Sequence, residues 1–138
     1  MQEIFDYQLV TSVEDALELM QTREGTPLLY AGGTDILVKL RANKLATSVL
    51  IDIKGIPELN TICETDDEIL IGAAVTHSEL QNSEIIEKWY PSLCQGVRQI
   101  GSVPIRNKAT LGGNIQNASP AADGAIVAFA LDGMVEAC

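Results

Sequence analysis

Two glycine pairs constrain this chain more than any other feature. Gly32-Gly33 lies in Ala31-Gly32-Gly33-Thr34-Asp35, directly after an apolar segment, and Gly112-Gly113 lies in Thr110-Leu111-Gly112-Gly113-Asn114, after the basic stretch Arg106-Asn107-Lys108. Paired glycines admit positive φ and carry no Cβ, so successive backbone N–H groups can turn toward one anion, and a following helix adds its N-terminal partial charge. Neither pair is a Walker loop or a G-x-G-x-x-G fingerprint. A single pair is more simply a tight turn. Two pairs, each ending an apolar segment and each followed by a small polar residue, leave turn and anion cradle evenly weighted. A pyrophosphate has two phosphates for two such loops. Thr34 or Asp35 is placed to cap a helix that begins at Ile36.

A third element is Asn117-Ala118-Ser119-Pro120-Ala121-Ala122-Asp123-Gly124. Ser119 as N-cap and Pro120 at the first helical position predict a helix running to about Leu131 and stopped by Gly133. Small side chains in its first turn let a flat ligand or another backbone come close. Asp123 projects from the same turn, either as an acceptor for a ligand hydroxyl or as a solvated acid favoured by the helix dipole.

The remaining pattern is mixed. Thr11 to Asp15 opens a helix with Val13, Ala16, Leu17 and Met20 on one face, ended by Gly25. Leu28–Ala31 and Val49–Ile53 read as short buried strands with a helix around Ile36, Leu37 and Leu40 between them, which favours a small parallel sheet. Thr61–Glu64 and Glu68–Ala74 then read as a hairpin over the acidic turn Thr65-Asp66-Asp67. Thr76-His77-Ser78-Glu79 is a capping box, and Pro91 to Ile100 reads as another helix. The change of pattern predicts an α+β chain of two small α/β subdomains, residues 1–55 and 56–138.

Charge decides which partners are excluded. The 138 residues carry 9 Lys+Arg against 19 Asp+Glu, net −10, with 4% aromatics, so neither the positive field nor the stacking surface of a nucleic-acid binder is present. The acidity is segregated: residues 1–30 and 61–90 hold 13 of the 19 acids, away from both glycine pairs. Cys63, Cys94 and Cys138 are far apart, without Cys-x-x-Cys or Cys/His pairing, and predict reduced free thiols and no metal site. No apolar run approaches a membrane span, and the N-terminus lacks the apolar stretch of a signal peptide, so a cytoplasmic protein is expected. His77, the single histidine, is most simply a residue of its capping box, and no nucleophilic triad assembles around it. No catalytic side chain is therefore assigned, which fits a chain whose cofactor performs the chemistry.

At these residues the sequence resembles a family. AGGTDILVKLR, IGSVPIRNKATLGGN and NASPAADGAIVAFALDG, in this order and spacing, look like the FAD-binding subunit of molybdenum-containing hydroxylases such as xanthine dehydrogenase, carbon monoxide dehydrogenase and nicotinate or purine hydroxylases. VEDAL, VLIDI with KGIPELN, and IGAAVTHSEL extend the similarity from about Phe5 to Met134. The resemblance implies a vanillyl-alcohol-oxidase-like (PCMH-type) fold, with FAD between two α/β subdomains and the second subdomain incomplete. It implies that Ala31, Gly32, Gly33, Thr34 and Asp35 take the FAD pyrophosphate on backbone amides. Thr110, Gly112, Gly113 and Asn114 match a second phosphate and ribityl contact, Asn117 and Asp123 match further cofactor contacts, and Ile100 and Gly101 fall near the flavin ring.

The resemblance further implies an electron relay in which a molybdenum-cofactor subunit hydroxylates substrate and an iron-sulfur subunit carries electrons, with FAD here passing them to NAD or another acceptor. Family subunits are about twice as long, so a fragment is expected. Two other readings stand beside this one. The chain can be a cofactor-free scaffold or interaction module, or a stand-alone flavoprotein oxidoreductase of the related fold. The intact glycine pairs argue against the first, and the lack of a substrate-facing acid/base set argues against the second.

Overall fold

A computed structural model describes residues 5–119 and 122–137. Strands β1 (Asp6–Leu9), β2 (Pro27–Tyr30) and β3 (Val49–Asp52) form a parallel sheet in the order β1-β3-β2. Val49-Leu50-Ile51 is the continuous apolar run of a strand covered on both faces, and every residue of β3 is buried. Truncating Ile51 to alanine should cost about 2–5 kcal/mol. Pro27 opens an edge strand, where a missing N–H costs no ladder bond. β1 is unanticipated by the pattern because Tyr7 and Leu9 are 58% and 55% exposed, leaving no apolar run to read. β3 stops before Ile53 because the Asp52 carboxylate accepts from the Lys54 N–H at 2.9 Å and starts a 3₁₀ turn over Ile53–Gly55.

The register aligns Leu9, Asp52 and Tyr30 at the carboxyl edge of the sheet. Asp52 is saturated there. The Tyr7 hydroxyl donates to it, and Lys54 Nζ lies 3.2 Å away and 4.7 Å above the Tyr30 ring. The hydrogen bond to this carboxylate, then burial and neighbouring charge, push the Tyr7 phenol up to about 12.

Helix α1 (Val13–Thr22) begins as expected, with the Ser12 hydroxyl accepting from the Asp15 N–H. Its packed face differs from the predicted one. Val13, Ala16 and Leu19 meet Val49 and Ile51, whereas Leu17 and Met20 are exposed. The i, i+3 row packs in place of the i, i+4 row, a choice that single-sequence periodicity does not distinguish over three turns. Helix α2 (Ile36–Arg41) links β2 to β3.

After a second 3₁₀ turn, Pro57–Asn60, the expected hairpin forms from β4 (Ile62–Glu64) and β5 (Ile69–Ile71), antiparallel. Helix α3 (His77–Gln81) carries the complete capping box, with Thr76 and Glu79 reciprocally bonded. Helices α4 (Glu84–Trp89), α5 (Pro91–Arg98), α6 (Val103–Arg106), α7 (Leu111–Asn117) and α8 (Asp123–Ala130) follow. Two buried clusters result. Val10, Ala16, Val49, Ile51 and Ile56 form one, and Val75, Leu80, Ile86, Leu93, Cys94, Val97, Ile100 and Leu111 form the other.

Two expectations are corrected here. Thr110-Leu111-Gly112-Gly113-Asn114 is not a loop but the start of α7, because Thr110 takes extended backbone and its hydroxyl accepts from the Gly113 N–H at 3.0 Å. Helix α8 begins at Asp123, not after Ser119. Ala118 adopts left-handed φ 47° to end α7, the Ala122 N–H bonds the Ser119 carbonyl, and Ala122 is the N-cap residue of α8; Pro120 and Ala121 lie outside the described residues. α8 is instead capped from its neighbour, with Asn114 Oδ1 accepting from the Ala125 N–H at 3.0 Å.

Candidate flavin-binding site

The first glycine pair leaves the carboxyl edge of the sheet. Gly33 holds φ +74°, and a Cβ placed on it would lie 2.5 Å from Tyr30 Cε2, so the turn rests on the ring edge with no room for a side chain. The N–H groups of Gly32, Gly33, Thr34 and Asp35 make no hydrogen bond among the described residues. Asp35 occupies the N-cap of α2 in helical backbone and makes no cap bond, correcting the expectation that Thr34 or Asp35 closes this helix start. Four consecutive donors are left for something else.

The second pair is arranged the opposite way. Residues 109–112 run against 73–77, with His77 N–H to Ala109 O, Leu111 N–H to Val75 O, Gly112 N–H to Ala73 O and a Thr76–Thr110 bridge. With Gly113 bonded to Thr110 and Asn114 N–H to Thr110 O, every amide from Leu111 to Asn114 is spent inside the protein. Gly112 is required by the lacing, since a Cβ would sit 2.5 Å from Ala73 O.

The first pair nevertheless rests on the segment that leads into the second. A Cβ on Gly32 would lie 2.2 Å from Lys108 O and 2.8 Å from Ala109 Cα, so the first loop packs directly on the backbone leading into α7. Lys39 Nζ in α2 donates to Asn117 Oδ1 in α7 at 2.6 Å. Gly124 at the start of α8 sits against Asn114 Oδ1 and His77 Cε1. The structure thus seats Gly32 on Lys108 and Ala109, ties α2 to α7 through Lys39 and Asn117, and carries the contact on through Asn114 to α8, whose first residue, Asp123, is exposed.

Ile100 and Gly101 divide. The Ile100 side chain is 8% exposed within the core with Leu93 and Val97, while Gly101 is exposed at left-handed φ +51°, so this turn presents backbone outward. Sequence reasoning missed the residues behind these loops: Tyr30 under Gly33, the Lys108–Ala109 backbone under Gly32, and Arg106, whose Nη1 donates to the Ile100 carbonyl at 3.0 Å. The chain position of Arg106, a few residues after Gly101, was the available signal. His77 is more than a capping residue. It is fully buried, neither ring nitrogen has a hydrogen-bond partner among the described residues, and burial, then the Arg106 charge, hold its pKa below the ordinary 6.5. Burial, with Glu87 adding, pushes the Cys94 thiol up to about 11, so it is an inert thiol.

Four consecutive amides without a partner among the described residues, at the carboxyl edge of a parallel sheet, are the kind of donor set that suits a pyrophosphate, since such a group is bound by backbone donors from a glycine turn. Residues 3–138 match the family model described as the FAD binding domain in molybdopterin dehydrogenase. The chain belongs to this family. FAD is the cofactor of this domain family, and the mixed helix and strand architecture is that of its fold.

Named relatives of the FAD-binding domain are oxidoreductase subunits. The chain is 35% identical over 130 residues to the nicotine 6-hydroxylase medium subunit of Paenarthrobacter nicotinovorans, covering 94% of this chain and 46% of the relative. It is 33% identical over 132 residues to the nicotinate dehydrogenase FAD-subunit of Eubacterium barkeri, covering 95% and 45%. Among solved structures, a carbon monoxide dehydrogenase from Hydrogenophaga pseudoflava superposes with TM-score 0.83 at 31% identity, over 87% of this chain and 42% of that one. The chain thus spans about half the length of the curated relatives it matches. Among the described residues no helix is long and apolar enough to cross a membrane.

Proposed function

We propose that this chain is the flavin-holding part of a molybdenum hydroxylase and that Gly32, Gly33, Thr34 and Asp35 bind the FAD pyrophosphate through their free amides, with Ala31 leading into the turn. The observation that carries this reading is the contrast in amide use between the two glycine pairs. Thr110, Gly112 and Gly113 act in it as the anchored start of α7, which fixes the Lys108–Ala109 backbone on which the first loop rests. Asn114 and Asn117 contribute through side chains already oriented by Ala125 and Lys39. Asp123 offers an exposed acceptor for a ribose or ribityl hydroxyl, and Gly101 presents backbone to the flavin ring. Residues 1–55 and 56–138 act as the two subdomains that enclose it.

FAD, when bound, supplies the electron and hydride transfers that link an iron-sulfur subunit and a molybdenum-cofactor subunit to NAD or another acceptor. This chain's own residues bind and orient it, and their local charge favours an anionic ligand, since residues 31–60 carry four bases against three acids. The test is the absorption spectrum of the purified chain incubated with FAD and passed through gel filtration. Flavin bands that co-elute with wild type and vanish in Gly33→Val are expected, because a β-branched residue resists positive φ and has no space beside Tyr30. Retained flavin in Gly33→Val would sink the assignment of the first loop.

A further inference from the structure

Arg106 has no anionic partner among the described ion pairs, yet its guanidinium is placed with care. Nη1 donates to the Ile100 carbonyl at 3.0 Å and reaches the Gly101 carbonyl at 3.4 Å, and no other described group donates to either oxygen. These carbonyls flank the left-handed residue Gly101, whose open side is covered by Ile105, the residue before the arginine. Helix α6 is a single turn, closed by the Arg106 N–H to the Ser102 carbonyl, and it folds the chain back so that residue 106 reaches residue 100. On the inner side, Arg106 Nε is buried, and the fully buried His77 is close enough to feel the guanidinium charge.

We infer that Arg106 is the positioning residue of the flavin-facing turn, clamping the carbonyls of Ile100 and Gly101 so that the Gly101 backbone is presented in one orientation. The identity of the turn as flavin-facing rests on the function proposed above. A lysine cannot reproduce the clamp, because a point ammonium on a flexible stem replaces a planar fork whose geometry is set. A glutamine removes the charge as well. His77, which feels the guanidinium charge, is anchored independently, through its N–H to the Ala109 carbonyl and its ring against Gly124.

The experiment compares wild type, Arg106→Lys and Arg106→Gln of the full chain by amide and methyl NMR without cofactor, and by FAD titration with visible circular dichroism. In both variants the Gly101 amide and Ile105 methyl signals should move while those of β3 stay. FAD affinity should fall about tenfold, the loss of one charge-assisted hydrogen bond. Arg106→Lys should regain most of the thermal stability lost in Arg106→Gln without regaining the wild-type flavin dichroism, a signature that a merely structural role would not leave. Unmoved Gly101 signals, or unchanged affinity and dichroism in Arg106→Gln, overturn the proposal. If Arg106→Gln does not fold, Arg106→Lys alone decides by the same criteria. If wild type takes no FAD, the cofactor reading fails, and the Gly101 signals still decide whether Arg106 sets the turn.

Discussion

Gly32-Gly33 and Gly112-Gly113 are the same two letters used for opposite ends. The amides of the first pair and of the next two residues bond nothing among the described residues, and the pair rests on Tyr30 and the Lys108–Ala109 backbone; the second gives every amide from Leu111 to Asn114 to the protein. What separates them is the neighbouring chain. The segment before α7 runs beside residues 73–77, which supply carbonyls to its donors, whereas among the described residues no acceptor bonds the amides of residues 32–35. A glycine pair is therefore a permission for close approach, and the tertiary partner decides whether a ligand or the protein itself uses it.

The largest test of this contrast is Gly32→Ala. Its Cβ would meet backbone atoms that cannot rotate away, so the loop must leave its platform, with a loss of about 3 kcal/mol in denaturant unfolding and loss of FAD binding. Gly112→Ala meets Ala73 backbone at 2.5 Å and should cost about 2 kcal/mol, partly offset by the better helix propensity of alanine. The folded fraction of that variant should still bind FAD, and specific loss of binding at unchanged stability would reverse the roles given to the two pairs.

Acid provides a graded version. His77 lies below its ordinary 6.5 in the folded protein, so the unfolded chain binds the extra proton; this contribution is intact above 6.5 and is lost as pH falls toward the folded value. The slope for one such group is bounded by about 1.4 kcal/mol per pH unit. His77→Gln should flatten the stability profile between neutral and mildly acidic pH. In wild type, hydrogen exchange at Gly112 and Leu111 should accelerate before that of β3; the reverse order would show that His77 does not support the second pair. Asn114→Ala removes the acceptor for Ala125 and should cost about 1 kcal/mol. Gly113→Ala is the smallest change, near neutral within about 0.5 kcal/mol, since its Cβ meets only the Thr110 hydroxyl and it lies inside a helix. A large loss there would mean that the Thr110 hydroxyl, which caps the helix, cannot give way to the added methyl.

Much of this was legible in the residues. β2, β3, the hairpin, α1 and the capping box of α3 are local signals of apolar period, turn chemistry and hydroxyl–acid spacing, and the family motifs led to the cofactor. β1 was not legible because an exposed edge strand buries too little to show a period. The start of α8 was misread because Ser119-Pro120 is a local cap signal, whereas the helix starts at Asp123 after a left-handed Ala118 and takes a cap from Asn114, eleven residues before the N–H it satisfies. The spent amides of the second pair depend on carbonyls at Ala73 and Val75, and no local pattern announces that pairing. His77 and Arg106 were hidden for the same reason, since burial of a polar residue is a property of what surrounds it.

The seating of Gly32 on Lys108 and Ala109 also sets an order in time. Neither edge strand has a partner until β3 has been synthesised, and the first loop has no floor until the chain has been made as far as Ala109. A nascent chain arrested between these points has all three strands of its parallel sheet while the first glycine loop still lacks its support, so the seating of that loop is a late event of synthesis, set by a segment far downstream of it.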